Sequence, residues 1–268
     1  MSVQDVRRIV ERLLPHVEEE GHREVNQLLN SGPYDQERHE KLNLERERAF
    51  QISVTIYGRD GESLFGYGTE PFDSPNIPTP IESIYISNSS AYQNVTGHNP
   101  LNNFTLHLDF STPPLVDNNN PVSNPTPNFS NFTVEGKREA WVASIHQAVM
   151  EVLGKKSNGR NFMHAAFVYD IGLGLLGFPV AIYLCWRFSG FVETYLGVLN
   201  PFIAVVAYIY IFFFVLNVYR VLFGYTKWAF PAVELTDNEN RAKVHRRFWC
   251  TILIGLFVSA IYDLLTIP

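Results

Sequence analysis

The sequence predicts an α+β domain, in which helices flank an antiparallel sheet, followed by an α-helical membrane domain of three spans. Three observations predict it: apolar residues recur at helical spacing near the amino terminus, the period falls to two from residue 50, and the last hundred residues carry three long apolar runs. The longest run, residues 199–223 (LNPFIAVVAYIYIFFFVLNVYRVLF), has no charge before Arg220. About 20 apolar residues at the α-helical rise cross the hydrocarbon layer, and a spanning segment of this kind satisfies its own backbone hydrogen bonds as a helix. Runs 165–186 and 249–267 flank it, each interrupted by one acid, Asp170 and Asp263.

Charge divides the chain in the same way. Residues 1–164 carry 14 Lys+Arg against 21 Asp+Glu, a net of −7, whereas residues 165–268 carry 7 against 6. An acidic domain argues against sequence-independent nucleic-acid binding over its whole surface, while leaving room for a local basic groove. Lys155, Lys156 and Arg160 precede the first run and Arg241, Lys243, Arg246 and Arg247 the third, whereas the loop after the first run has only Arg187. The positive-inside rule therefore puts the amino-terminal domain and the second loop in the cytoplasm and the carboxy terminus outside. Residues 1–29 lack the apolar core of a secretory signal. Cys185 and Cys250 fall in or beside the runs and read as small apolar fillers.

In chain order, Val3, Val6, Ile9, Val10, Leu13, Leu14 and Val17 predict a helix, with Ser2 as its cap and Asp5 three residues on. Pro15 is expected to kink or split it, and the Ser31-Gly32-Pro33 sequence to stop it. Residues 35–48 are mostly charged and read as a solvated helix or a linker. This amino-terminal helical region, 1–49, is a packing element or an oligomerisation helix.

The α+β domain proper is expected over residues 50–160. Phe50, Ile52, Val54 and Ile56 alternate with polar residues, and Arg59-Asp60-Gly61 turns the chain into residues 63–67, a hairpin signature. Further strands are expected over 83–87, 104–110 and 129–134, separated by loops rich in Asn, Pro and Ser, of which 111–127 is the longest. A helix over 137–153 closes the domain, with Trp141, Ile145, Val149 and Val152 on one face. Five Asn-x-Ser/Thr triplets (Asn88, Asn94, Asn103, Asn128, Asn131) read as products of composition in a domain placed inside the cell.

No phosphate loop, GxSxG, HExxH or CxxC motif occurs, and the eight histidines are scattered. The sequence therefore assigns no catalytic residue, cofactor or metal, and an enzyme is the weakest reading. The polar residues of the membrane domain, 161–268, carry more. Asp170, Asn217 and Asp263 lie in the runs, where an acid is costly and faces a bundle interior or water, or snorkels to the interface. Thr251, Gly255, Ser259 and Asp263 repeat every four residues, a face suited to close helix contact or to lining a pore. Gly172, Gly174 and Gly177 place small residues in the first run.

The order of parts, with FPAVEL, a basic HRRFW and a short last run, resembles the small transmembrane channel effectors of bacterial antiphage systems, specifically the Hailong-type effector. The resemblance rests on architecture and transfers no site residue. It implies an oligomeric channel in the bacterial inner membrane, held closed by single-stranded DNA oligomers that a companion nucleotidyltransferase makes. A nucleotide or oligonucleotide ligand would need basic groups on the acidic domain, for which Arg59, Lys137, Arg138, Lys155, Lys156 and Arg160 are the candidates. The alternative is a membrane-anchored binding or scaffold protein without a pore.

Overall fold

The computed structural model describes residues 1–31, 36–112, 123–156, 159–198, 200–237, 242–251 and 254–255. The chain folds as two units. The first comprises Met1–Ser111, Asn128–Ser157 and Val233–Asn240, and the second Thr112–Pro127, Asn158–Ala232 and Arg241–Pro268. The chain therefore passes from one unit to the other five times, after residues 111, 127, 157, 232 and 240.

The first unit is built on helix α1 (Val3–Asn30) and a five-stranded sheet. The α1 start is a capping box: the Ser2 hydroxyl accepts from the Asp5 N–H at 3.1 Å, and the Asp5 carboxylate accepts from the Ser2 N–H at 2.8 Å. Val6, Ile9, Val10, Leu13 and Val17 form its buried stripe. The helix runs through Pro15 without a break. Pro15 is on the exposed side, where a carbonyl that loses its proline-side partner is open to water. Helix α2 (Gln36–Ala49) buries only Ala49, in keeping with its solvated composition.

Strands β1 (Ser53–Gly58), β2 (Ser63–Tyr67), β3 (Ile81–Ser87), β4 (Asn103–Asp109) and β5 (Asn131–Glu135) are ordered β2-β1-β3-β4-β5, every pair antiparallel. Val54, Ile56, Ile84, Ile86, Phe104, Leu106 and Leu108 point to one face, where α1 and helix α5 (Glu139–Leu153) cover them in a single core. Trp141, Ile145, Val149 and Val152 are the α5 contribution. Thus the amino-terminal helix, read from sequence as a region of its own, shares the core of the sheet.

Three features of this unit carry no periodic signal. Two short helices, α3 (Glu70–Asp73) and α4 (Ser89–Thr96), interrupt the loops after β2 and β3. The third is a strap that returns from the distant residues 233–237. Leu235 is 1% exposed in the sheet core, the Thr236 N–H donates to the Met1 carbonyl at 2.7 Å, and the Val3 N–H donates to the Asp237 carboxylate at 2.6 Å.

Among the described residues, the second unit contains two helices long and apolar enough to cross a membrane, Val168–Arg187 and Pro201–Ala229. The first consists of α6 (Val168–Gly172), a π turn over Leu173–Gly177 and α7 (Phe178–Arg187). Helix α8 (Ser189–Val192) and a second π turn, Glu193–Gly197, lead toward α9 (Pro201–Ala229), whose cap is the Asn200 side chain accepting from the Phe202 N–H at 2.8 Å. Residues 242–251 are helical. The third apolar run, 249–267, lies almost wholly outside the described residues.

Candidate functional site

The two apolar helices form an antiparallel hairpin. Tyr169 meets Tyr219 and Phe223 with ring centroids 5.4 Å apart, Phe178 stacks on Phe212 at 5.9 Å, and the Cys185 thiol lies 3.7 Å from the Tyr208 carbonyl. Partner numbers fall along α9 as they rise along the first helix, which fixes the antiparallel sense. Small residues make the approach possible: Gly177 and Ala181 are buried, and Gly172 lies against the Tyr219 hydroxyl. Gly174 faces open space among the described residues.

Outside this seam the side chains are uncovered. Leu175 is 71% exposed, Trp186 69%, Phe202 72% and Tyr210 73%. A core helix of a water-soluble domain buries such residues, whereas here only 11% of the apolar window of either helix is buried. That exposure, rather than hydropathy alone, makes the hairpin the candidate functional element.

The polar residues singled out in the runs have distinct settings. Asp170 is exposed on α6, close to the Tyr169–Tyr219 crossing. Asn217 is exposed on α9 and donates to the Phe213 carbonyl one turn back at 2.8 Å, so its amide is partly satisfied by its own helix. Thr251 does the same toward the Arg247 carbonyl at 3.0 Å, and Gly255 is exposed, with no atom of the described residues within 4 Å of where a side chain would start. Ser259 and Asp263 lie outside the described residues.

His164 organises the entrance to the first apolar helix. Its Nε2 donates to the Phe230 carbonyl at 2.7 Å, because a carbonyl only accepts, and this leaves Nδ1 to accept from the Thr126 hydroxyl at 2.9 Å. The ring is 6% exposed. Burial pushes its pKa below the ordinary histidine value, with the Lys227 ammonium acting in the same direction and the Phe230 bond opposing. The Thr126 N–H donates to the His164 carbonyl at 3.2 Å and Lys227 Nζ to the Asn124 carbonyl at 3.1 Å, so the end of the long β4–β5 loop is fastened here. Nothing in the spacing of a lone histidine announced this role.

No protein-family model, curated protein or solved structure matches the chain.

Of the candidate ligand-binding cations, Arg59, Lys137, Arg138 and Lys155 of the first unit do not converge. Arg59 is in the β1–β2 turn, whereas Lys137 and Arg138 follow β5, at the opposite end and opposite edge of the sheet. Lys155 is beyond the far end of α5, roughly 25 Å along the helix axis from Lys137. Arg138 is already committed: it bonds to Glu20 and lies 3.9 Å from Glu19, beside Asn102, which also donates to Glu20. Arg59, Lys137 and Lys155 are exposed; Lys156 and Arg160 lie in short 3-10 turns leading to the second unit. Of the Asn-x-Ser/Thr triplets, Asn88 is buried, donating to the Asn102 carbonyl at 3.0 Å and accepting from the Phe104 N–H at 2.9 Å. Its amide is a structural bridge.

Proposed function

We propose that this protein is a ligand-gated, oligomeric membrane channel or membrane-disrupting effector of bacterial antiphage defence, anchored in the inner membrane with its α+β unit in the cytoplasm. The observation that carries the reading is the helix hairpin whose apolar side chains stay exposed apart from one narrow seam. The apolar composition of the run 249–267 supports a third span in this reading. A single hairpin encloses no lumen, so a pore requires several copies, with Asp170, Asn217 and the Thr251, Gly255, Ser259, Asp263 face as the polar groups available to line it or to bind helices together.

Gating needs a ligand that binds two states unequally and a connection that transmits the difference. The connection is covalent: five chain passages join the units, and the strap carrying Leu235 leaves the end of α9 to enter the core of the sheet. A nucleotide or short single-stranded DNA on the α+β unit is the controlling ligand in this reading. Clustered basic residues before the first and third runs favour the cytoplasmic placement.

The test is ion flux through liposomes holding the purified full chain, with and without short single-stranded DNA. Flux that DNA suppresses, and that substitution of Asp170 or Asn217 alters, supports the channel. Folded, inserted protein with no flux under either condition overturns it and leaves a membrane-anchored scaffold.

A further inference from the structure

A cleft of about 470 Å³ opens in the first unit where α1, α2, the start of β1 and the end of β2 meet. Its volume falls in the range of small-molecule sites, ~300–1,000 Å³. Leu14 and Ile52 supply apolar lining, Phe50 and Tyr67 aromatic lining, and Arg46 and His22 the positive or hydrogen-bonding groups. The aromatic lining is held in place: Phe50 is edge-on to Tyr92 at 5.3 Å and 83°, and Tyr67 is edge-on to Phe65 at 5.2 Å and 78°. Phe50 also rests directly on the buried Gly21 of α1, where an added methyl group would stand 2.7 Å from its ring.

Arg46 distinguishes this cleft from the other cations of the unit. Its side chain is only 18% exposed, yet its close hydrogen-bond partner is the His22 ring rather than a carboxylate. Glu47, 68% exposed, stands 3.8 Å from Nη2, so most of the five guanidinium donors are available. Arg138 is comparably covered but bonds directly to Glu20. A half-buried guanidinium with spare donors is suited to a phosphate, which it grips bidentately. The cleft also contains Glu18, Glu47 and the Gln51 amide. Two carboxylates repel a bare anion, so the fitting ligand brings hydrogen-bond donors, such as sugar hydroxyls and an exocyclic amine, together with a flat ring for Phe50 and Tyr67.

We propose that this cleft binds a nucleoside monophosphate, with the phosphate on Arg46 and His22, the base along Phe50 and Tyr67, and the sugar and base donors on Glu18, Glu47 and Gln51. The site belongs entirely to the α+β unit, so binding is independent of whether the apolar helices conduct ions. It gives the ligand-controlled reading a location that none of the six basic residues legible in the sequence provides.

The experiment is calorimetric titration of the full chain in detergent micelles with AMP, GMP, CMP and UMP, and with adenosine, inorganic phosphate and phenylalanine as partial ligands. At least one nucleotide is expected to saturate at one per chain and to bind tenfold or more tighter than its nucleoside or phosphate alone. Arg46→Ala is expected to weaken it at least tenfold, Arg46→Lys less, and Arg59→Ala not at all. His22→Gln is a second, milder variant, expected to weaken binding severalfold, should Arg46→Ala lower the thermal midpoint of the free protein. No saturable binding by any of the four nucleotides overturns the proposal. So does binding of phenylalanine alone, or nucleotide binding untouched by the folded variants at Arg46 and His22. Flux through liposomes is a separate readout, so failure here leaves the channel reading to its own test.

Discussion

Tyr219 crosses Gly172 at a point where only a hydrogen atom fits. A methyl group on Gly172 would overlap the Tyr219 hydroxyl, which donates to the Tyr169 carbonyl at 3.3 Å. Gly172→Ala is expected to displace that ring and cost about 1–3 kcal/mol, the usual range for overpacking. The readout is a lower thermal midpoint in detergent. Tyr219→Phe in the same chain removes the obstructing oxygen and should recover part of the loss, whereas Gly174→Ala, at an open position, should lose nothing. A midpoint unchanged by Gly172→Ala would show that the two helices do not meet along this seam.

The strap offers a second test. Leu235 is buried among sheet residues although its neighbours in sequence follow the second apolar helix. Leu235→Ala should destabilise the α+β unit by about 2–5 kcal/mol, because a large buried side chain is lost and its cavity remains. Asp237→Ala frees the Val3 N–H and should cost about 1 kcal/mol. Limited proteolysis of the full chain reads both: Leu235→Ala should make residues 233–237 the first site of cleavage. Equal resistance in variant and parent would mean that the strap contributes nothing to the core.

What the sequence reveals and conceals follows from the range of the interactions. The alternation of Val54 and Ile56 or of Phe104, Leu106 and Leu108 is local, and so is the Ser2–Asp5 cap; these features are legible without a structure. Antiparallel register needs only neighbouring strands. Leu235 entering a sheet whose last strand ends at Glu135, 100 residues earlier (235 − 135), is not local, and VEL has the same composition as many loops. The candidate cations of the α+β unit failed to converge for a related reason. Positive charge on an acidic domain can be counted in sequence, but whether a cation is already paired depends on distant carboxylates, as Arg138 with Glu20 shows. Arg46, hidden in a helix that reads as solvated from end to end, is the converse case.

Acid should loosen the neck of the long loop. Asp109 Oδ1 accepts from the Ser111 N–H at 2.9 Å and Oδ2 from the Phe129 N–H at 3.0 Å, so one carboxylate ties the two strands where they part. Burial opposes ionisation, yet the Phe129 and Ser111 bonds, aided by the nearby His107, hold the carboxyl below its ordinary value. A folded value below the unfolded one stabilises fully above the unfolded pKa, and the contribution disappears as pH falls through the folded pKa. Amide protection at Ser111 and Phe129, corrected for intrinsic exchange, should therefore hold from neutrality to about pH 4 and decline below it. Asp109→Asn should lower protection at neutral pH and remove the acid dependence. Equal protection in the variant at pH 7 would refute the role.

His164 responds at a milder pH. Its neutral ring accepts from Thr126 through Nδ1 and donates to Phe230 through Nε2, and burial together with the Lys227 charge disfavours a second ring proton. The folded pKa lies below the unfolded one, near 6.5, so the stabilisation is complete above that value and is lost as pH falls through it toward the folded pKa. The Thr126 N–H, bonded to the His164 carbonyl, and the Phe167 N–H, bonded to the Ser123 carbonyl, report on the same junction. Their protection should stay level above about pH 6.5 and fall as the pH drops below it, while that of core strand β3 stays level throughout. His164→Gln keeps a donor and an acceptor but cannot titrate, so it should abolish the decline. Because this junction joins the end of the β4–β5 loop to the start of the first apolar helix, such a loss would loosen the second unit without unfolding the sheet. Protection that stays constant as the pH drops in the parent would mean that the ring is hydrated and titrates as it does in the unfolded chain.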